Sequence, residues 1–286
     1  MKQGVLLRFF FYCVILVVGV SVMTKDKREE IVKEYYNSYK EDERFASPHR
    51  RVEFVTTATY IEKFAPKNAK IVELGAGTGA YSVYLAKKGY KVEAVEISDY
   101  NLELLKANTE NIKNITVREG DAVELGMYTD NLFDVTLSLG PMFHIFSKKD
   151  LESAIREAVR ITKPGGTIIF SYLTNDSVFA RYMVQKGNIK KYKTLCDADF
   201  NFKPIQDEIF YTTNVKDFED MVNKENVTKI MGVSADGLSE LLADQIDRFS
   251  EDEFNAYLSY HLARCEREEL FGYSSHMLYI CKKNEE

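Results

Sequence analysis

Cysteine is scarce in this chain, with four residues among 286. No two of them show the C-x-x-C spacing that zinc sites and redox pairs use. We therefore expect reduced thiols packed within the folded protein, and no metal site. The four residues are Cys13, Cys196, Cys265 and Cys281.

A surplus of positive charge is also missing. Lysine and arginine number 38 against 44 aspartates and glutamates, which gives a net charge of −6 and a pI near 5.5. Proteins that bind nucleic acid through a broad surface carry a basic footprint, so we expect no nucleic-acid partner. No repeat of fixed period and no low-complexity tract is present. An apolar content of 45% suffices for a substantial core, in one large domain or in one domain with a lid.

Long apolar runs are absent except near the N-terminus. Residues 9–20 are apolar apart from Tyr12, and Lys2 and Arg8 precede them. A basic start followed by a short apolar core is typical of a signal peptide, and the run is short for a membrane span. Residues 1–23 therefore have three interpretations: a signal-like segment, a membrane anchor, or a stretch before a true start at Met23. Any membrane association is expected only through residues 5–23.

A glycine-rich turn lies between a short apolar run and a helical pattern. Residues 71–74 are rich in β-branched and apolar side chains, which indicates a buried parallel strand. Gly75, Gly77 and Gly79 follow, and residues 80–88 have helical periodicity. Strand, glycine turn and helix form the mononucleotide-binding half of a doubly wound α/β sheet. The glycines alone fit either a dinucleotide-dependent oxidoreductase using NAD(P) or a protein that binds another nucleotide-like cofactor.

Glu73, two positions before the first glycine, discriminates between these classes. A carboxylate there would repel a pyrophosphate but would attract a cofactor that carries an ammonium and a sulfonium. Residues 73–79 (Glu-Leu-Gly-Ala-Gly-Thr-Gly) resemble the first motif of the class I S-adenosylmethionine-dependent methyltransferases, an acidic residue followed by Gly-x-Gly-x-Gly.

Further landmarks of that family follow in the same order along the chain. The second strand, residues 91–96, ends on Glu96, and Asp121 follows the strand at 115–117. Residues 133–139 form the predicted fourth strand, and a Lys-Pro-Gly-Gly turn leads into the fifth. The resemblance covers residues 35–282 and is best over 70–172. It implies an α/β fold with a doubly wound, seven-stranded, mostly parallel sheet of the Rossmann-like methyltransferase type and a helical cap.

The resemblance also implies a cofactor and an activity. The cofactor is S-adenosyl-L-methionine, and the activity is methyl transfer to a small-molecule acceptor by a cytoplasmic enzyme, or a membrane-anchored one if the N-terminal segment is an anchor. A regulatory protein that binds the cofactor without turnover would keep the same motifs. The cofactor-binding residues implied are Glu73, Gly75, Ala76, Gly77, Gly79, Glu96, Ile97, Asp121, Ala122 and Leu139.

Residues beyond the cofactor motifs are candidates for catalysis and acceptor binding. His144 follows the fourth strand in the run Gly-Pro-Met-Phe-His and is the candidate catalytic residue, with loop packing as the alternative. Tyr35, Tyr36 and Tyr39 lie on a predicted lid helix, and His261 lies on a tyrosine-rich helix that we expect to face the acceptor. His276, at the start of the last strand, is predicted to be structural.

The resemblance divides the chain into three parts, of which residues 1–23 are the first. Residues 24–66 are the predicted lid helices, and residues 67–286 are the predicted methyltransferase domain. Cap insertions are expected around 176–226 and 236–270, with helices over 176–196, 237–249 and 251–270.

Overall fold

The computed structural model describes residues 25–38, 41–203 and 210–285. The interpretations of residues 1–23 and the role predicted for Tyr39 lie outside these ranges. Within them, no helix combines the length and the apolar character that a membrane crossing requires.

One mixed sheet forms the centre of the fold. Along the sheet the strands run in the order β3-β2-β1-β4-β5-β8-β7, and a two-residue strand, β6, pairs with β5. All neighbours are parallel except β8, which is antiparallel to both β5 and β7. The predicted seven-stranded, mostly parallel sheet is confirmed, with β6 as a short addition. The strands are β1 Lys70–Leu74, β2 Lys91–Glu96, β3 Ile115–Glu119, β4 Phe133–Ser138, β5 Thr162–Thr174, β6 Thr212–Thr213, β7 Val227–Ser234 and β8 His276–Lys283.

Helices cover both faces of the sheet. Ser98 and Ser147 cap α4 and α5, because each side chain accepts a hydrogen bond from a backbone N–H in the first turn. The inner stripe of α5, which includes Leu151, Ala154 and Ile155, is buried against the sheet. The helices are α1 Lys25–Ser38, α2 Pro48–Phe64, α3 Ala80–Lys87, α4 Asp99–Thr109, α5 Lys148–Ile161, α6 Asn175–Val178, α7 Tyr192–Leu195, α8 Val215–Val222, α9 Ala243–Ile246 and α10 Glu251–Leu262.

The segment after β5 is more broken than its sequence pattern indicates. Instead of one helix over 176–196, α6 continues into π-helical turns at Phe179–Gln185, and a 3-10 turn at Ile189–Lys191 precedes α7. Gly187, with φ +72°, ends the π-helical turns in a conformation that a helix cannot continue. The predicted helix over 237–249 is likewise reduced to α9, and Glu268–Tyr273 after α10 is a 3-10 helix. The helix boundaries predicted for these segments are therefore wrong.

Candidate active site

The sheet reverses its strand order between β1 and β4, and their carboxyl ends open a crevice there. In parallel α/β sheets ligands bind at this switch point. Gly75 follows β1 and Gly140 follows β4, and the two loops touch: a Cβ on Gly140 would lie 3.2 Å from the Gly75 carbonyl oxygen. The glycine turn found in the sequence thus lies at the position where this fold holds ligands.

The glycine turn needs glycine for two reasons. Gly75 and Gly77 have φ values of +69° and +57°, which side-chain-bearing residues adopt at a cost. A Cβ on Gly75 would also lie 2.8 Å from Cδ of Pro141, and a Cβ on Gly77 would press on the Glu41 side chain. The turn therefore forms a cradle of bare backbone that a ligand can approach closely.

Glu96 ends β2 beside this cradle and is only 4% exposed. Its carboxylate accepts the backbone N–H of Gly77 at 2.7 Å and that of Ser98 at 2.8 Å. Burial raises the pKa of Glu96, while these N–H donors act in the opposite direction. The two oxygens accept these backbone N–H groups and keep lone pairs for a hydroxyl of a ligand.

Glu73 lies deeper, at 2% exposure, where the Ser82 hydroxyl donates to it at 2.5 Å. Burial raises the pKa of Glu73 to about 8, and the nearby Glu96 carboxylate adds to the rise. The side chain lines a small cavity behind the glycine turn together with Ala76 and Leu139. An ammonium group in this cavity would meet the Glu73 carboxyl group and would draw it into the ionised form.

The main cofactor candidates surround a cavity in the crevice, called here the inner cavity. Six of the ten predicted cofactor residues line it. Glu73, Ala76 and Leu139 line the small cavity instead, and Gly79, the residue before α3, lines neither. Sequence reasoning missed Val32, Glu41, Arg44 and Asn101, which the tertiary structure adds from elements without a recognisable motif. The lining residues are Val32, Tyr36, Glu41, Arg44, Gly75, Gly77, Glu96, Ile97, Asn101, Gly120, Asp121, Ala122, Gly140, Pro141 and His144.

A second cavity of about 330 Å³, called here the large cavity, adjoins the inner cavity. The two share the side chains of Tyr36, Glu41 and Arg44 as a common wall. A volume of this size accommodates a small molecule. The other residues that line the large cavity are Tyr35, Arg50, Glu53, Phe143, Leu173, Val178, Arg181, Tyr182, Lys186, Phe210, Glu240, Ser275 and His276.

Two of the predicted lid tyrosines lie at this wall. The Tyr36 hydroxyl and Nε2 of His144 are 2.8 Å apart, so helix α1 is joined to the loop after β4. Tyr35 packs edge-on against Tyr36 at 5.2 Å and against Phe210 at 5.7 Å between ring centroids. The structure therefore brings Tyr35, Tyr36 and His144 to one place between the cavities.

A buried cluster of charge borders the large cavity. Arg44 donates to Glu53 at 2.8 Å and lies 3.4 Å from Glu41. Beside it, Nδ1 of His276 is 2.8 Å from the Asp236 carboxylate. His276 was predicted to be structural, and no sequence signal links it to Asp236, which is forty positions away in the chain. Its place in the cavity wall is the main feature that the sequence did not reveal.

His261 does not join these residues. It lines a separate small cavity with Tyr257 and Tyr260, and it is not among the lining residues of the large cavity. The imidazole packs beneath Gly237, where burial lowers its pKa to about 4 and keeps it neutral. His261 therefore lies apart from the large cavity, because α10 turns this residue toward the loop after β7.

Known proteins similar to this chain share its central part. Residues 72–170 match the sequence family described as "Methyltransferase domain". The release factor glutamine methyltransferase of Rhodopirellula baltica is 34% identical over 117 residues, which are 38% of this chain and 39% of that protein. The demethylmenaquinone methyltransferase of Streptomyces avermitilis is 32% identical over 100 residues, which are 35% of this chain and 40% of that protein.

Solved structures extend the likeness over most of the chain. Geranyl diphosphate C-methyltransferase from Streptomyces coelicolor A3(2), in complex with Mg²⁺, geranyl diphosphate and S-adenosyl-L-homocysteine, superposes with a TM-score of 0.57. The two are 13% identical, and the match covers 90% of this chain and 98% of that one. At this identity the likeness establishes the fold. The chain spans about two fifths of the length of the curated relatives it matches.

Proposed function

We propose that this chain, whose residues 72–170 match the methyltransferase domain family, is a class I S-adenosylmethionine-dependent methyltransferase that transfers a methyl group to a small-molecule acceptor. One observation carries the proposal: the glycine cradle with its two carboxyl groups opens onto an inner cavity that shares a wall with a cavity of about 330 Å³. A cofactor in the first cavity and an acceptor in the second would meet at Tyr36, Glu41 and Arg44. The dinucleotide oxidoreductase alternative is not favoured.

The residues around the crevice fit S-adenosyl-L-methionine. We assign Glu73 to the ammonium group, Glu96 to the ribose hydroxyls and Asp121 to the adenine. The bare backbone at Gly75 and Gly77 admits the ligand, and apolar contacts come from Ile97, Ala122 and Leu139. When bound, this cofactor supplies an electrophilic methyl carbon and leaves as the neutral thioether S-adenosyl-L-homocysteine.

In such a displacement, the side chains of this protein chiefly align the two reactants and exclude water. Holding two reactants in line can lower a barrier by about 7–11 kcal/mol in well-aligned systems. Tyr35 and Tyr36 reach the site from the lid helix and cover the wall between the cavities. His144 remains a candidate catalytic residue, since its imidazole lines the inner cavity beside Tyr36.

The names of the relatives do not identify the acceptor of this chain. Their names give a release factor glutamine and demethylmenaquinone as acceptors, which have no common chemistry. We propose a small molecule because the large cavity is enclosed by side chains from the lid, the sheet and the cap. We also propose a cytoplasmic location, where this cofactor is made.

Calorimetry tests the cofactor assignment. We expect S-adenosyl-L-methionine and S-adenosyl-L-homocysteine to bind with a saturable heat signal, and NAD to give none. The physical reason is Glu73, whose carboxyl group can ionise to pair with an ammonium but offers a pyrophosphate no positive charge. Transfer of a labelled methyl group to a metabolite pool is the companion measurement. Tight binding of NAD without a response to either sulfur compound would overturn the proposed function.

The His144→Ala substitution distinguishes a role of His144 in methyl transfer from a role in cofactor binding. We expect cofactor affinity to stay within a few-fold, because the assigned cofactor contacts lie on other residues. Turnover should fall fivefold to tenfold, since the hydrogen bond to Tyr36 is lost and one such bond contributes about 1 kcal/mol. Single-turnover rates and cofactor dissociation constants measure both effects. A loss of about 10²–10⁴ would instead identify His144 as a general base.

A further inference from the structure

Asp236 and His276 form a hydrogen-bonded pair, and His276 lines the large cavity. Asp236 is 1% exposed and lies just after β7, while His276 begins β8. The Asp236 carboxylate accepts the backbone N–H of His276 at 3.1 Å and the Ser274 hydroxyl at 2.6 Å, and it lies 2.8 Å from Nδ1 of His276. With these donors around it, the carboxylate is held in one orientation.

This arrangement assigns the two ring nitrogens of His276 different tasks. Because Nδ1 faces a carboxylate, it carries a proton and donates, which leaves Nε2 as the atom that can gain or lose one. Nε2 accepts a long hydrogen bond, 3.4 Å, from Nη2 of Arg44, a side chain in the wall shared by both cavities. The N–H or O–H group of an acceptor would replace this contact at Nε2. The titrating atom of His276 is therefore directed at the wall where the reactants would meet.

Both histidines of the site flank one aromatic ring. Phe143 contacts the ring of His144 at 4.8 Å and that of His276 at 5.7 Å between centroids. His144 lines the inner cavity and His276 the large one. His276 is the one that combines a place in the acceptor's cavity with a buried carboxylate that orients it.

We infer that His276, held by Asp236, accepts the proton of an N–H or O–H group on an acceptor in the large cavity. This inference rests on the proposed function and specifies its substrate class: an amine or a hydroxyl compound whose nucleophilic atom arrives protonated. The N–H or O–H bond breaks and its proton goes to Nε2 of His276. The electron pair left on nitrogen or oxygen forms the new bond to the methyl carbon, and the pair of the broken carbon–sulfur bond stays on sulfur.

The charged groups around His276 set the direction of its pH dependence. They are Asp236 from the loop after β7, Glu53 from α2 at 3.7 Å, and Arg44 from the segment before α2. Burial alone would lower the pKa of His276, but the Glu53 and Asp236 carboxylates outweigh burial and Arg44 and raise it above 6.5. The ring is thus mostly protonated at pH 6.5, and the transfer rate should rise with pH through this pKa to a plateau.

Substitutions of His276 and of Asp236 test the inference, and cofactor binding and thermal unfolding check that each variant folds. We expect His276→Gln to lower the single-turnover rate by about 10²–10⁴ while cofactor affinity stays within a few-fold. Asp236→Asn keeps the shape of the positioning residue. It should lower the plateau rate and move the acid limb of the pH profile down by about one pH unit or more, because a carboxylate next to the imidazole is lost.

The chain contains a matched control pair. His49 and Asp247 also lie 2.8 Å apart, and the His49 side chain is 11% exposed against 13% for His276. His49 lines neither the inner nor the large cavity. We therefore expect His49→Gln and Asp247→Asn to leave the rate within twofold and the pH profile unmoved.

Nuclear magnetic resonance of the full chain with ¹³C-labelled histidine gives a readout that needs no acceptor. The His276 ring should titrate above 6.5, and Asp236→Asn should lower its midpoint while Asp247→Asn leaves it in place. A His276 midpoint that Asp236→Asn does not move would overturn the inference, and so would a His276→Gln rate within threefold of wild type. An acceptor whose nucleophile bears no proton would also overturn it. Cofactor binding without methyl transfer to any pool would instead defeat the proposed function, and the inference with it.

Discussion

Replacing Glu96 by alanine is expected to weaken the binding of S-adenosyl-L-methionine by at least a hundredfold. The proposed contacts are two ribose hydroxyls that donate to this carboxylate. Hydrogen bonds to a charged group contribute about 1.5–3 kcal/mol each, so losing two of them costs at least about 3 kcal/mol. The substitution also leaves the backbone N–H groups of Gly77 and Ser98 without their acceptor in a buried place. The glycine cradle itself should loosen in consequence.

Glu119 supplies the control for this measurement. It ends the neighbouring strand β3, directly opposite Glu96 in the register, but its side chain is exposed. Glu119→Ala should leave the calorimetric dissociation constant within twofold of wild type. If Glu96→Ala and Glu119→Ala lower cofactor affinity equally, the sheet edge is weakened in general and Glu96 is not part of the cofactor site.

Cofactor affinity is expected to rise about 25-fold between pH 6 and pH 7.5 because Glu73 must lose a proton. Burial raises the pKa of this carboxyl to about 8, so it carries a proton in the unliganded protein throughout this range. An ammonium bound beside it requires the ionised form, and binding therefore releases a proton. With one proton released, affinity changes by up to tenfold per pH unit below the free-state pKa, and it levels off as pH approaches 8.

Calorimetry in buffers of different ionisation enthalpy counts that proton directly. We expect a release close to one at pH 6.5 in the wild-type protein and close to zero in Glu73→Gln. The Gln variant should also bind more weakly at pH 7.5, because it offers the ammonium no charge. Burial raises the pKa of Glu41 as well, so Glu41→Gln is the matched comparison. If proton release survives in Glu73→Gln and vanishes in Glu41→Gln, the ammonium lies at Glu41 instead.

The glycine cradle and the carboxyl groups beside it could be predicted because their signals are local. Glu73, Gly75 and Gly77 lie within five positions of one strand and turn, and a strand that enters a tight glycine turn can present them in only one way. Glu96 and Asp121 likewise follow directly from strand ends. Parallel strands of a doubly wound sheet all deliver their carboxyl ends to one edge, so order along the chain sufficed to bring these residues together.

The walls of the large cavity could not be predicted in the same way. Tyr36 and His144 are 108 positions apart, and Arg44 and His276 are 232 apart. Their contacts depend on how α1 and α2 rest on the sheet and on β8 entering between β5 and β7. No spacing in the sequence encodes these contacts.

His261 and His276 show the limit of what could be predicted from the sequence. From the sequence alone both are isolated histidines, one predicted to face the acceptor and one to be structural. In the tertiary structure His276 lines the large cavity and His261 a separate small one. The sequence by itself determined the sheet, the cofactor cradle and the acids around it, because those depend on periodicity and on residues close together in the chain. Only the tertiary structure decided which histidine meets the large cavity and which carboxylate orients it. Those choices depend on the packing of distant elements, and the side-chain pattern of a single helix or strand does not record which neighbour it will face.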